Sequence, residues 1–319
     1  MLKVVELFGG IGAFTKALKK LDKDFKVIDY VEIDKNAVKS YNTLYNTNFI
    51  PQNICDFSLK DGKIDILMHG SPCQDFSNIG LKKGGEKGSN TRSSLLFETI
   101  RIIEEAKYKP TWIIWENVKG VLNKKMRNSF FSYLDELKKL GYETKYSTLN
   151  ALDFGIPQNR TRLFAISYLG TNNFDFSKLK KVAMRSIDEV LEKEVDEKYI
   201  VRQASILKHI DLMLKTNEEV DTPLRFKGRC QTIKDYAYTI TTKQMRIPNS
   251  GLVDLGNGHY RYLTEKECFR LMGFSDEDFN KLIEIHSIKN GKTSSILYKQ
   301  AGNSIVVDVL EAIIKEIIK

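Results

Sequence analysis

The chain has 319 residues, 42% hydrophobic and 29% charged, enough for one large domain plus a smaller one around a sizeable core. Lys and Arg number 50 against 41 Asp and Glu, a net charge of +9 that favours a polyanionic partner but also suits a merely basic soluble enzyme. The cysteines (Cys55, Cys73, Cys230, Cys268) are widely spaced with no CxxC pair, and the four histidines do not cluster. This argues against a disulfide framework and against a metal site, and for a reducing cytoplasm. The amino terminus has no leader pattern, and no apolar run approaches the ~20 residues that span a bilayer, so no membrane partner is expected.

From Lys3 to Ile166, short β-rich runs alternate with segments of helical period, which predicts βαβ units around a mostly parallel sheet. Strands are expected at Val4 to Phe8, Val27 to Val31, Ile64 to His69, Trp112 to Trp115, Thr144 to Leu149 and Leu163 to Ser167. Helices are expected at Ala13 to Leu21, Asn36 to Leu44, Leu95 to Ala106 and Phe130 to Leu140. Residues Asn172 to Glu197 lose the alternation and become charge-rich, the pattern of an exit from that domain. Between Leu224 and Arg246 stand Arg225, Lys227, Arg229, Lys234, Lys243 and Arg246 against Asp235 alone, interleaved with Phe226, Tyr236 and Tyr238. That mixture suits a groove that grips a phosphate backbone, and equally a solvated face.

The first strand runs into Phe8-Gly9-Gly10-Ile11-Gly12 and then a helix, where glycines let the backbone turn tightly and approach a ligand at the helix amino terminus. Twenty residues after Gly12, Glu32 ends the second strand, at the spacing of a side chain that accepts hydrogen bonds from ribose hydroxyls. The loop is not GxGxxG and carries no lysine. It therefore suits a nucleoside cofactor without a pyrophosphate, such as S-adenosylmethionine, better than NAD or ATP; an ordinary tight turn is the plainer alternative. Asp56 is a candidate acceptor for an adenine amino group.

The third strand delivers Ser71-Pro72-Cys73-Gln74 at its carboxyl end, where ligand crevices of open α/β sheets lie. Cys73 is there a candidate nucleophile, or else a small buried hydrophobe. Trp115-Glu116-Asn117-Val118 closes the fourth strand and should bring Glu116 to the same crevice. In Gln158-Asn159-Arg160-Thr161-Arg162, an extended chain would project Gln158, Arg160 and Arg162 to one face. A thiol, a carboxyl group and two guanidinium groups around a nucleoside pocket fit covalent activation of a pyrimidine ring.

These pieces together resemble the DNA cytosine-5 methyltransferases of bacteria and phages, nearly end to end and in the family's motif order. The resemblance takes in Glu6 to Gly12, Glu32, Gly70 to Ser77, Glu116 to Val118, Gln158 to Arg162, Arg261 to Cys268, Arg270 to Phe274 and Gln300 to Ser304. Glu6 stands where the family more often has aspartate, and Ser71 where Phe or Pro is common. The resemblance implies an α/β, Rossmann-like S-adenosylmethionine-dependent methyltransferase with helices on both faces of a mostly parallel sheet and a smaller inserted target-recognition domain. It implies methyl transfer from S-adenosylmethionine to C5 of a flipped-out cytosine in double-stranded DNA, in a restriction-modification system or as a phage-encoded protective methylase.

The same resemblance implies the roles of residues. Cys73 would add to C6, Glu116 would act on N3 and the exocyclic amine, Arg162 would bind the O2 side, and Arg160 would lie near the phosphate or the thiol. Cofactor contacts fall on Phe8, Gly9, Gly10, Ile11, Gly12, Glu32, Ile33, Asp56, Pro72, Leu95, Asn303 and Ser304, and DNA contacts on Ser77, Gln158 and Thr239. The expected layout is a catalytic and cofactor-binding domain over 1–180, target recognition over 181–258, a hinge over 259–292, and over 293–319 a terminal helix (Val306 to Ile318) returning to the first sheet. Asn78 to Ser94 reads as a lid. A monomer is expected, with no stable complex with any cognate restriction endonuclease. The rival readings are a tRNA cytosine-5 methyltransferase, disfavoured by the lack of a Cys-Phe-Thr element and by the long insertion; an NAD-dependent oxidoreductase; and a catalytically dead DNA-binding module.

Overall fold

The computed structural model describes residues 1–71, 95–124, 126–216, 230–246, 248–286 and 292–319. They form two compact units, one of Met1–Asn150, Thr161–Lys180 and Val309–Lys319, the other of Ala151–Arg160 and Lys181–Asp308. No helix among them is long and apolar enough to cross a membrane, and among them no group of His, Cys, Asp or Glu could hold a metal ion.

Unit 1 is built on a six-stranded sheet in the order β2-β1-β3-β4-β7-β5. Its members are β1 (Leu2–Leu7), β2 (Phe25–Val31), β3 (Ile66–His69), β4 (Trp112–Val118), β5 (Tyr142–Asn150) and β7 (Thr161–Leu169); β6 (Gln158–Asn159) belongs to unit 2. The pairs β1–β2, β1–β3 and β3–β4 are parallel. Residues Val4 to Leu7 and Ile66 to His69 are buried throughout, as expected of strands covered on both faces. The helices α1 (Ala13–Lys20), α2 (Lys35–Tyr45), α3 (Leu95–Glu105) and α4 (Arg127–Lys139) follow the predicted order. Leu96, Ile100 and Ile103 of α3 and Phe130, Tyr133 and Leu137 of α4 enter the main core with Leu67, Ile113 and Leu163. They recur at helical spacing, so each helix lays one apolar stripe on the sheet.

One strand runs against the rest. β7 pairs antiparallel with both β4 and β5, and its first residue, Thr161, lies opposite Asn150, the last of β5. Because the chain leaves and re-enters the sheet at the same edge, the returning strand must be antiparallel, a hairpin whose connection is residues 151–160. At the carboxyl terminus, α9 (Val307–Ile317) buries Leu310, Ile313, Ile314 and Ile317, and its Glu311 lies 3.2 Å from Lys20 of α1.

Unit 2 has a smaller core of Val201, Ile206, Ile210, Cys230, Leu252, Tyr260 and Tyr262. Its sheet pairings are short: β6 lies parallel to β8 (Ala237–Tyr238), and β9 (Val253–Gly256) forms a hairpin with β10 (His259–Arg261). Helices α5 (Ala204–Thr216), α6 (Glu265–Arg270), α7 (Asp276–Ile285) and α8 (Ser295–Asn303) complete it, and capping boxes at Thr264/Glu267 and Ser275/Asp278 start α6 and α7. Glu267 also receives two 2.8 Å hydrogen bonds from Arg261, a buried pair whose charges and lone pairs are matched by several partners.

Candidate active site

The glycine loop is clamped from three sides. Gly9 N–H donates to Val31 of β2, Gly12 N–H to Gly9, and Gly10 N–H to the Glu32 carboxylate at 3.1 Å. The other Glu32 oxygen accepts from the backbone of Ile33 and Asp34, both at 2.8 Å, and the Asp34 side chain caps α2. Gly10 and Gly12 have φ of 54° and 79°, the left-handed region that favours glycine. A Cβ on Gly9 would meet the Tyr30 ring at 2.6 Å, and one on Gly12 would meet Tyr45 at 2.4 Å, whereas one on Gly10 would meet nothing within 4 Å. The loop is thus packed from below and open above Gly10. Phe8 also has positive φ (54°), and Ile11 is buried.

Ile33, beside Glu32, is 67% exposed, which leaves an apolar surface at the strand end. Asp56 is exposed in a single turn over Ile54–Asp56, ten residues before β3, and Leu95 opens α3 half-buried against the main core. An acidic acceptor fixed by three N–H groups, a bare glycine edge and an exposed apolar side chain fit a nucleoside: hydroxyls to Glu32, a flat ring beside Ile33. Three tyrosines under the loop, Tyr30, Tyr41 and Tyr45, carry no signal of this role in their local sequence. Only the four-residue spacing of the last two on the buried face of α2 hints at them.

At the neighbouring sheet edge β4 outlasts β3, since His69, the last residue of β3, pairs with Trp115. Glu116 is therefore the first residue past the segment paired with β3. It lies opposite Phe164 of β7, and Val118 lies opposite Arg162, so Arg162 is the diagonal neighbour of Glu116 on the same face. Its Nε stands 3.2 Å from Glu116 Oε1, and Nη1 donates to the Thr161 carbonyl at 2.9 Å. Burial pulls the Arg162 guanidinium down from its ordinary value, and Glu116 opposes that pull. Ser71, the last described residue before Pro72, is buried and held twice from β4: its hydroxyl accepts from the Trp115 indole at 3.0 Å and its carbonyl from Asn117 at 3.2 Å. These supports were missed in the sequence, where Trp115 and Asn117 look like ordinary strand residues. Pro72, Cys73, Ser77 and the segment Asn78 to Ser94 lie outside the described residues, as do Arg225, Phe226, Lys227 and Arg229.

The expectation that Gln158, Arg160 and Arg162 project to one face of one strand does not hold. Arg160 falls between β6 and β7, and only Arg162 is in the main sheet. Gln158 is fully buried, donating to the Leu271 carbonyl at 2.8 Å and accepting from Ile240 N–H at 3.1 Å. Arg160 is 4% exposed and donates to the carbonyls of Ile240, Gly302 and Ser304 at 2.9, 3.0 and 2.8 Å. The physical reason is that two chain segments, at Ile240 and at Gly302 to Ser304, bring three carbonyls together, and a guanidinium fork can serve them all. Thr239 donates to the Asn159 carbonyl at 2.9 Å and is half-buried. Asn303 is exposed at the end of α8, Ser304 caps that helix, and a Cβ on Gly302 would strike the backbone of Thr241 and Thr242 at 2.4 and 2.6 Å.

A sequence model of C-5 cytosine-specific DNA methylases matches residues 2–319. The type II methyltransferase M2.ScrFI of Lactococcus lactis subsp. cremoris is 35% identical over 316 residues, covering 93% of this chain and 79% of that protein. The type II methyltransferase M.Bsp6I of Bacillus sp. (strain RFL6) is 31% identical over 329 residues, covering 100% and 99%. Among solved structures, the S. pombe Dnmt2 methyltransferase superposes with a TM-score of 0.77 at 22% identity, covering 98% of this chain and 97% of that one. That likeness carries the fold.

Proposed function

The chain belongs to the C-5 cytosine-specific DNA methylase family and is a DNA cytosine-5 methyltransferase, and from that premise we propose that it methylates a cytosine flipped out of double-stranded DNA, through a covalent bond between Cys73 and C6. The observation that carries the reading is the Glu116–Arg162 pair at the carboxyl edge of β4, beside the doubly held Ser71 that leads into Pro72 and Cys73.

S-adenosylmethionine, when bound, supplies a methyl group made electrophilic by its sulfonium. Phe8 to Gly12, Glu32 and Ile33 would hold it, with Glu32 accepting from ribose hydroxyls; Asp56, Pro72, Leu95, Asn303 and Ser304 complete the proposed contacts. The Cys73 thiolate adds to C6 of cytosine, while Glu116 in its acid form delivers a proton to N3 and accepts from the exocyclic amine. The ring then carries an enamine whose C5 is nucleophilic. Arg162 turns from Glu116 to the O2 side of the base, which frees the carboxyl group to hold its proton. After methyl transfer, loss of the C5 proton to a base expels Cys73 from C6, N3 returns its proton to Glu116, and the aromatic ring is restored. A stacked base is out of reach of such a site, so the cytosine must leave the duplex at a cost of about a few kcal/mol.

Gln158 and Arg160 enter this reading as the supports of unit 2 and not as DNA or thiol contacts. Thr239 and Ser77 are proposed to meet phosphates. The enzyme is proposed to work as a cytoplasmic monomer, without a stable complex with any restriction endonuclease. DNA carrying 5-fluorocytosine at the target, which cannot lose its C5 substituent, should trap the wild type as a covalent adduct when cofactor is present. A Cys73→Ser protein should bind DNA but form no adduct; an adduct with that variant would overturn the assignment.

A further inference from the structure

Gly10 is gripped twice by one strand end. Tyr30 and Glu32 stand two residues apart, so their side chains project to the same side of the chain. The Glu32 carboxylate takes the Gly10 N–H at 3.1 Å, and the Tyr30 hydroxyl donates to the Gly10 carbonyl at 2.5 Å. Two residues on, the Tyr45 hydroxyl of α2 donates to the Gly12 carbonyl at 2.6 Å. Both carbonyls belong to left-handed residues, and Gly12 is the residue that starts α1. The rings are as fixed as the hydroxyls: Tyr30 stacks on Tyr41 with centroids 3.9 Å apart, Tyr41 meets Tyr45 edge-on at 4.7 Å, and all three are buried. Meanwhile the opposite side of Gly10 is open.

We propose that Tyr30 and Tyr45 are positioning residues for the cofactor: their hydroxyls hold the glycine loop, before any ligand arrives, in the shape that binds S-adenosylmethionine. The proposal rests on the cofactor reading above and adds residues that act through Gly10 and Gly12 without touching the ligand. Without Tyr30 the Gly10 carbonyl loses its hydroxyl donor, and without Tyr45 the Gly12 carbonyl keeps the Lys16 N–H at 2.9 Å but loses its second donor. Carbonyls so deprived turn toward water and draw the loop out of the left-handed conformation. Part of the binding energy is then consumed in restoring that shape. Burial, with Glu32 and Glu6 near, keeps the Tyr30 hydroxyl protonated and hence a donor.

The test compares Tyr30→Phe and Tyr45→Phe, which keep the rings, with Tyr142→Phe. Tyr142 is also buried and donates to the Pro110 carbonyl at 2.6 Å, but on β5, at the far edge of the sheet from β2. Titration calorimetry with S-adenosylhomocysteine should give a Kd about tenfold weaker for each loop variant, or about 1.4 kcal/mol, and an unchanged Kd for Tyr142→Phe. In the ligand-free proteins, amide hydrogen exchange over residues 9–12 should accelerate in the two loop variants only. KM for the cofactor should rise while kcat at saturation stays within about twofold. Loop variants with wild-type Kd and exchange, while the wild type binds, overturn this proposal alone; a wild type that does not bind overturns the cofactor reading and the proposal together. Should Tyr30→Phe fail to fold, Tyr45→Phe decides by the same measurements.

Discussion

Arg162 Nε lies 3.2 Å from Glu116 Oε1 because β7 runs antiparallel to β4 and sets the two residues on one diagonal. A guanidinium so close favours the charged carboxylate, whereas the proposed chemistry needs the acid form against N3. On the proposed chemistry, the pair is a resting arrangement that an entering base separates. Glu116→Gln, which cannot deliver a proton, should lower the single-turnover methylation rate by about 10²-fold or more, the usual range for a positioned acid. Arg162→Lys keeps the charge but loses the planar fork and should fall between that variant and wild type. S-adenosylhomocysteine affinity should stay unchanged in both; equal rates for wild type and Glu116→Gln would remove Glu116 from the reaction.

The parallel part of the sheet was legible because β1 and β3 are short apolar runs followed by turn residues or helical period. The antiparallel β7 was not: its direction depends on where residues 151–160 leave and re-enter, and nothing in Leu163 to Ser167 encodes that. Likewise the spacing that marks Glu32 is local, and it survives folding. For Gln158 and Arg160, sequence showed two polar side chains before a strand, a pattern shared by surface and interior positions. Only the convergence of Ile240, Leu271, Gly302 and Ser304 decides that they are inside. The tyrosines below the loop were silent for the same reason, since the partners of Tyr30 and Tyr45 are backbone carbonyls, and those of Tyr41 the Glu6 and Thr15 side chains, all far away in sequence.

Glu32→Ala should do more than remove an acceptor for ribose. Three backbone N–H groups, of Gly10, Ile33 and Asp34, lose their carboxylate as well. Cofactor affinity should weaken by about 1–3 kcal/mol, the range for hydrogen bonds to a charged group. Glu32→Gln keeps one acceptor and should recover part of it. Calorimetric titration reads both, and an unchanged affinity in Glu32→Ala would leave Glu32 with a structural role only.

Glu6 makes stability depend on pH. It is buried on β1 and accepts from the Thr15 and Tyr41 hydroxyls, yet burial outweighs those bonds and raises its pKa from 4.5 to about 7. The folded state thus binds the proton more tightly than the unfolded one, so Glu6 costs stability progressively as pH rises from about 4.5 through 7. The cost above that window is on the order of 3 kcal/mol. His69 acts oppositely: burial lowers its pKa from 6.5 to about 3, so protonation of the unfolded state destabilises the fold as pH falls below 6.5. The two effects offset each other between about 4.5 and 6.5, and the whole-protein profile hides both. Glu6→Gln separates them. Its melting temperature should exceed that of the wild type by several degrees at pH 8 and match it near pH 5; a difference constant over that range would show that Glu6 does not titrate there.

Sequence choice should move with the inserted part of unit 2. Residues proposed for the reaction and for the cofactor lie outside 181–258, whereas the basic and aromatic run Leu224 to Arg246 lies within it. Phosphate contacts position a duplex and base contacts specify it, so exchanging this segment for that of a relative should redirect methylation and spare catalysis. The structure adds a condition to that experiment. Ala237 and Tyr238 pair with Gln158 and Asn159, and Arg160 and Gln158 bond the backbone of Ile240, so the exchange must retain Ala237 to Ile240 or the support of unit 2 is lost. With those residues kept, bisulfite maps of DNA from cells carrying the chimaera should show the donor's sequence. Within the segment, removing a side chain that reads a base edge should cost ~1–3 kcal/mol at one position of the site, while removing a phosphate-binding lysine should weaken all sequences alike and flatten the salt dependence. A chimaera that is active but still marks the original sequence would place recognition elsewhere in the chain, with the segment after Cys73 the first place to look.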